Sequence, residues 1–215
     1  MKTTTIQHPL FDIPGDSRLL IVGLLGTFAL FVMAWIYPTF PGDEEAIVRF
    51  QALRTGWLDN AALAFANMGL IRVFVPVTVV LIACLMLAER YADMAMVVAG
   101  GLFLGVGNVL KYVVGRPRPD YQLIVIDSNP SFPSGHTLLA AIFGGVLIYL
   151  IGLWVKPVLL RRSIQVTIFA AVIMMGASRV YLGVHWPSDV IGAYALGAMA
   201  LIGLIGLRNA VASVR

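Results

Sequence analysis

Six long apolar runs, cut apart by short polar stops, limit what this chain can fold into more than any other feature. They cover roughly 19–37, 71–88, 92–114, 134–155, 163–182 and 188–207. Each approaches the roughly 20 residues a helix needs to cross a hydrocarbon core about 30 Å thick. The stops are Pro38 and Pro41, Glu89-Arg90, the 115–119 stretch, Lys156-Pro157 and Pro187. Proline and paired charges end apolar helices because they cannot continue the backbone ladder or cannot stay in lipid. Composition agrees: of 215 residues, 60% are hydrophobic and 12% charged, against about half and a quarter in soluble domains. The expected fold is all-α: one integral membrane bundle of six transmembrane helices over residues 1–215.

Several function classes fall away at once. Cys84 is the only cysteine, so neither an intrachain disulfide nor a cysteine metal site can form. The net charge of +4 is better explained by basic loops or an anion site than by nucleic-acid binding. Acids, Pro14 and Gly15 precede the first run, which reads as a retained anchor helix and not as a cleaved signal. His8 lies in the polar N-terminal tail and takes no role.

Two regions carry alternatives. Residues 43–70 are charged, yet Ala46, Phe50, Leu53 and Trp57 recur at helical spacing, with Asp43, Glu44 and Glu45 suited to a first helical turn. One or two short interfacial helices between the first and second spans are expected, serving either as a lid or lipid entrance or as a packed connection. Gly101 and Gly105 share GxxxG spacing, which reads as close helix packing.

Six spans alternate in direction, and parity brings separated polar clusters together. Lys111 to Arg118 leave the third span, Ser134-Gly135-His136 begin the fourth, Ser178-Arg179 end the fifth, and His185 and Asp189 precede and open the sixth. All lie on one membrane face. Cations cost about 2.5–3.5 kcal/mol each at mid-membrane and less toward the ends. One alone is best read as snorkelling; several on one face are not. Guanidinium groups match phosphate oxygens with paired donors, and a helix start adds free N–H groups and a favourable dipole. The economical reading is an anion site for phosphate.

Near it, Ser134 can cap the fourth helix, with His136 merely at the interface. Asp189 either complements the helix dipole or accepts from His185 and leaves the other ring nitrogen free to attack. With the N-terminus cytoplasmic, Lys2, Arg18, Arg90, Lys156, Arg161, Arg162, Arg208 and Arg215 face the cytoplasm, against Arg49, Arg54, Arg72, Lys111, Arg116, Arg118 and Arg179 outside. That near balance favours cytoplasmic termini once Lys111, Arg116, Arg118 and Arg179 are reserved for an anion.

Together the clusters resemble the three-part signature of the type-2 phosphatidic acid phosphatase superfamily. Lys111, six residues, then Arg118-Pro119 is the first part. Pro133-Ser134-Gly135-His136 is the second, and Ser178-Arg179, five residues, His185, three residues, Asp189 is the third. Arg116-Pro117 duplicates Arg118-Pro119; the spacing selects Arg118 and leaves Arg116 to assist or point elsewhere.

The resemblance implies a multi-pass cell-membrane lipid phosphatase whose substrate is a phospholipid or polyprenyl phosphate. Phosphatidylglycerophosphate is the first expectation, with undecaprenyl pyrophosphate and phosphatidic acid as alternatives. It further implies that Lys111, Arg118 and Arg179 hold phosphate with Ser134 and Gly135. His185 becomes phosphorylated, Asp189 orients it, His136 protonates the leaving alkoxide, and no metal or cofactor takes part. The site would face the extracytoplasmic side, with the lipid tail left in the bilayer through a gap between helices. Vanadate-dependent haloperoxidases share the motif set by resemblance but are soluble. A non-catalytic lipid-binding or transport protein on the same scaffold should lack a catalytic residue.

Overall fold

A computed structural model describes residues 17–124 and 129–214, apart from the side chains of Ser17 and Ile71. The readings of Lys2, His8, Pro14, Gly15 and Arg215 lie outside the described residues. Eight helices follow in order: α1 Ser17–Ile36, α2 Asp43–Ala52, α3 Gly56–Met68, α4 Ile71–Leu87, α5 Tyr91–Val114, α6 Gly135–Trp154, α7 Val158–Tyr181 and α8 Pro187–Ser213. No strand occurs among the described residues. Lipid explains this economy, because a helix satisfies its own backbone groups where water cannot.

Five helices, α1 and α5 to α8, are long and apolar enough to cross a bilayer. The remaining span differs from a plain rod. At 17 residues, α4 is about 26 Å long, slightly short of the hydrocarbon core. It joins α3 at a 50° bend, and the pair together is long and apolar enough to count as a sixth span broken at the bend. Residues 43–70 thus divide: α2 lies as a short interfacial helix, while α3 runs on into the bundle wall. Two other ends outrun expectation. α7 begins at Val158 and α8 continues to Ser213. Arg161, Arg162 and Arg208 mark the edge of the lipid in the sequence, but a charged residue at an interface does not break a helical backbone.

Helix α6 is the centre of the bundle and packs against α5, α7 and α8. Its buried Leu138, Ile142, Phe143, Val146 and Leu150 meet Met96 and Val97 of α5 and Ala193, Ala200 and Leu204 of α8. At Gly144 a Cβ would lie 2.2 Å from Val172 Cγ2, so glycine sets the α6–α7 approach. Gly101 and Gly105 do not follow that pattern. Among the described residues a Cβ at either would meet nothing within 4 Å, so these two glycines do not set a close helix approach.

At the end remote from the polar clusters, buried Asp93 accepts from Arg208 Nε at 2.9 Å and Trp154 Nε1 at 3.2 Å, fastening α5 to α8 and α6. At the other end the exposed aromatics Trp35, Tyr37, Trp57 and Tyr112 form the belt expected where a membrane meets water.

Candidate active site

The C-terminal ends of α5 and α7 and the N-terminal ends of α6 and α8 meet at one face, as parity requires. Between them lies a cavity of about 660 Å³ whose wall includes Lys111, Arg118, Gly135, His136, Arg179 and His185. Lys111 of α5 is 6% exposed and Arg179 of α7 is 4% exposed. Among the described residues no group pairs with the Lys111 ammonium, and the Arg179 Nε is a buried donor without an acceptor. A buried charge without a partner costs several kcal/mol. Two of them on one cavity wall mark a place built for an anion.

Arg118 reaches the same wall from the segment after α5. Its Nε donates to the Asn129 carbonyl at 2.9 Å, Nη2 donates to Asn129 Oδ1, and Nη1 donates to the Val184 carbonyl at 2.6 Å. Nη1 also lies 3.2 Å from His185 Nε2. A guanidinium only donates, so Nε2 presents its lone pair and the ring proton sits on Nδ1. That nitrogen faces Asp189 Oδ2 at 3.4 Å. His185 is therefore neutral, with its acceptor nitrogen at the cavity. Burial pushes its pKa well below the usual value, and the charges of Lys111, Arg118, Arg179 and His136 push the same way.

The loop that carries His185 turns at Gly183, where φ is +65° and a Cβ would lie 2.0 Å from the Tyr121 carbonyl oxygen. Only glycine fits both the left-handed backbone and the close approach. Asp189, in the first turn of α8, is fully buried. Its Oδ2 also accepts the Trp186 N–H at 2.9 Å, and its Oδ1 accepts from Arg116 Nη1 at 2.7 Å.

Arg116 points away from the cavity. Its guanidinium, 1% exposed, donates to Ser188 Oγ at 2.8 Å, Asp43 Oδ2 at 3.0 Å and the Pro38 carbonyl at 2.9 Å. Asp43, at the start of α2, also accepts from the Ser188 N–H at 3.0 Å and the Ser188 hydroxyl at 2.6 Å. The duplicated Arg-Pro pair thus splits its work: Arg118 faces the cavity, and Arg116 secures the carboxylate behind His185. Sequence spacing does not connect Asp43 with Asp189. Asn129 escapes it too, since only the fold-back of the chain after α5 brings it to Arg118.

The start of α6 departs from one expectation. Ser134 makes no side-chain cap. It is fully buried; its Oγ accepts from Thr137 Oγ1 at 3.0 Å, and its N–H donates to the Asp189 carbonyl at 3.3 Å. The hydroxyl is drawn toward Thr137, so the helix start stays open. Gly135 and His136 line the cavity, with Ser134 behind them tying α6 to α8. The His136 Nε2 lies 3.2 Å from the Ala66 carbonyl. A carbonyl only accepts, so Nε2 holds a proton and Nδ1 is the exchanging nitrogen. Gly69, at the α3–α4 bend, packs on this ring: a Cβ there would come within 2.2 Å of His136 Cδ2.

Below the charged wall the cavity continues between Leu70 at the α3–α4 bend, Leu104, Gly105 and Asn108 of α5, and Leu138 and Leu139 of α6. Its lower arm is an apolar slot within the span.

A family model described as PAP2 superfamily matches residues 90–211. Phosphatidylglycerophosphatase B of Bacillus subtilis is 35% identical over 162 residues, covering 73% of this chain and 78% of that protein. An undecaprenyl-diphosphatase of Sulfolobus acidocaldarius is 27% identical over 187 residues, covering 79% and 83%. The crystal structure of a transmembrane PAP2 type phosphatidylglycerolphosphate phosphatase from Bacillus subtilis superposes with a TM-score of 0.73 at 26% identity, covering 85% of this chain and 94% of that one.

Proposed function

The chain belongs to the PAP2 superfamily of membrane lipid phosphatases, and on that premise we propose that it hydrolyses phosphatidylglycerophosphate through a phosphohistidine on His185. The observation that carries this reading is the neutral His185 Nε2, facing a cavity whose wall holds unpaired cations and whose floor opens into the apolar slot. A phosphate head fits the first part and a lipid tail the second.

Lys111, Arg118 and Arg179 hold the phosphate oxygens and offset charge in the transition state. Gly135 and His136 add their N–H groups at the start of α6. Ser134 serves the phosphate from behind this wall by fixing the helix start. His185 Nε2 attacks phosphorus, and the phosphorus–oxygen bond to the lipid breaks. His136, which takes a second proton at Nδ1 when the phosphate anion enters the cavity, gives that proton to the departing alkoxide and returns to the neutral ring with Nε2–H on the Ala66 carbonyl. Asp189 holds the Nδ1–H of the phosphorylated ring. Water then attacks phosphorus, His136 takes its proton, and the nitrogen–phosphorus bond breaks to release phosphate and neutral His185. No metal or other cofactor is required, because the three cations supply the positive charge. The site opens on the extracytoplasmic face, with both termini cytoplasmic.

In detergent, His185→Ala abolishes phosphate release and never forms phosphohistidine. His136→Ala still forms it with an activated leaving group, and wild-type turnover persists in EDTA. Wild-type release from His185→Ala defeats the nucleophile, and loss in EDTA that Mg²⁺ restores defeats the metal-free mechanism. The Sulfolobus relative favours undecaprenyl pyrophosphate as the second reading, and phosphatidic acid is the third; release of phosphate from the three lipids side by side decides.

A further inference from the structure

The turn that carries His185 is held from outside by one face of α2. Asp43, Ile47 and Gln51 recur at every fourth position and so lie on one side of the helix. Asp43 accepts from the Ser188 N–H and hydroxyl. Ile47, fully buried, packs with Val180, Trp186 and Val190. Gln51, in the last turn, makes the remaining contact. Its Nε2 donates to the Tyr121 carbonyl at 2.8 Å and to the Tyr181 carbonyl at 3.1 Å. A side-chain amide nitrogen has two hydrogens, and both are used. Tyr121 lies three residues after Arg118, and Tyr181 four residues before His185. The Leu123 N–H, donating to the Leu182 carbonyl at 2.9 Å, joins the same two segments. At Gly183 a Cβ would lie 2.8 Å from Gln51 Nε2 as well as 2.0 Å from the Tyr121 oxygen. Amide, carbonyl and glycine thus meet at one point, two residues before the nucleophile.

The phosphate and its attacker are held by different parts of the fold. Lys111, Arg179 and the N–H groups of Gly135 and His136 sit on helices α5, α7 and α6, and Arg118 is anchored by Asn129. His185 sits on the turn between α7 and α8. Gln51 is not one of the described residues that line the cavity, so its amide reaches the reaction only through that turn. The geometry points to Gln51 as a positioning residue that sets the approach of His185 Nε2 to phosphorus. This rests on the proposed phosphohistidine reaction and deepens it. Placement is steep in its effect: a shift of about 1 Å can cost about 100-fold in rate, so a relaxed turn should cost about tenfold.

The test uses the purified full chain in detergent, two substrates (a lipid phosphate and an activated aryl phosphate) and inorganic phosphate as a competitive inhibitor. Gln51→Met keeps the length of the side chain without a donor. Gln51→Glu keeps its shape but turns an acceptor toward two carbonyls. Both should lower kcat/KM by about tenfold on both substrates alike, because both meet the same nucleophile. The inhibition constant of phosphate should stay at the wild-type value, which also shows that the variants are folded. Gln51→Lys, with three donors on a flexible stem, should regain part of the loss. Wild-type kcat/KM in the glutamate variant overturns the proposal, because shape alone would then suffice. So does a phosphate inhibition constant that weakens in step with kcat/KM, which would make Gln51 a support of the whole site. A loss confined to the lipid substrate overturns it as well. Wild-type turnover without a phosphohistidine refutes the parent reaction, a result separate from an unchanged rate in Gln51→Glu.

Discussion

His185 keeps its attacking nitrogen available because opposite edges of the ring meet groups of opposite kind: a guanidinium at Nε2 and a carboxylate at Nδ1. The titratable and charged groups around it are Lys111 on α5, Arg118 after it, His136 on α6, Arg179 on α7 and Asp189 on α8. Burial and the cations favour the neutral ring, so protonation must await a pH below the ordinary histidine value of about 6.5. The acid limb of kcat/KM is therefore expected below pH about 6.5. Replacing Lys111 and Arg118 with glutamine should move it upward, whatever activity remains. A pH profile of both proteins checks this, and a limb that stays put or moves downward sinks the electrostatic account. The same shift acts on stability. Because the unfolded chain takes the proton first, stability from this residue is lost as pH falls below about 6.5.

Among the elements, the α3–α4 bend has a direct line to the chemistry. Ala66 and Gly69, on either side of its last turn, hold His136 by a carbonyl and by contact. Gly69→Ala would drive a methyl into the imidazole. A displacement of about 1 Å at a catalytic group can cost about 100-fold in rate, so kcat on a lipid phosphate should fall by about 10–100-fold. An activated aryl phosphate, which needs no proton on its leaving group, should lose much less; equal losses on both would show that the bend does not act through His136. This bend also marks where sequence reading reached its limit. The apolar runs placed α1, α5 and α6 closely and found α7 and α8 with one end short, because transfer into lipid demands length and hydrophobicity, both local properties. Whether α3 and α4 count as one element depends on an angle at Gly69 and Leu70, which local composition does not encode. Gly101 and Gly105 show the same limit: glycine spacing permits a close neighbour but does not supply one.

Across the whole molecule, Arg116 is the tie that joins the interfacial helix α2 to the start of α8. Removing one partner of a buried ion-pair network typically costs about 3–5 kcal/mol, so Arg116→Met should lower stability by about that much in detergent-monitored unfolding. Pairing it with Asp43→Asn should recover part of the loss; no recovery would mean that the carboxylate is not the group left stranded. The motif spacing and span parity made Lys111, Arg118, His136, Arg179 and His185 legible as one site, since alternating spans leave few places for them to meet. Asp43 was not legible as a member, because an acid in a first helical turn already has a sufficient local reason to be there. The cavity draws its two halves from different parts of the architecture. The charged half comes from helix ends and connecting segments, bound to one another through Asp189, Ser134 and Arg116. The apolar half comes from the α3–α4 bend, the face of α5 around Leu104, and Leu138 and Leu139 of α6, whose side chains make none of those hydrogen bonds. Mutation can therefore reshape the slot without disturbing the reaction centre, and a lineage built on this plan can change which lipid it serves while its chemistry stays fixed.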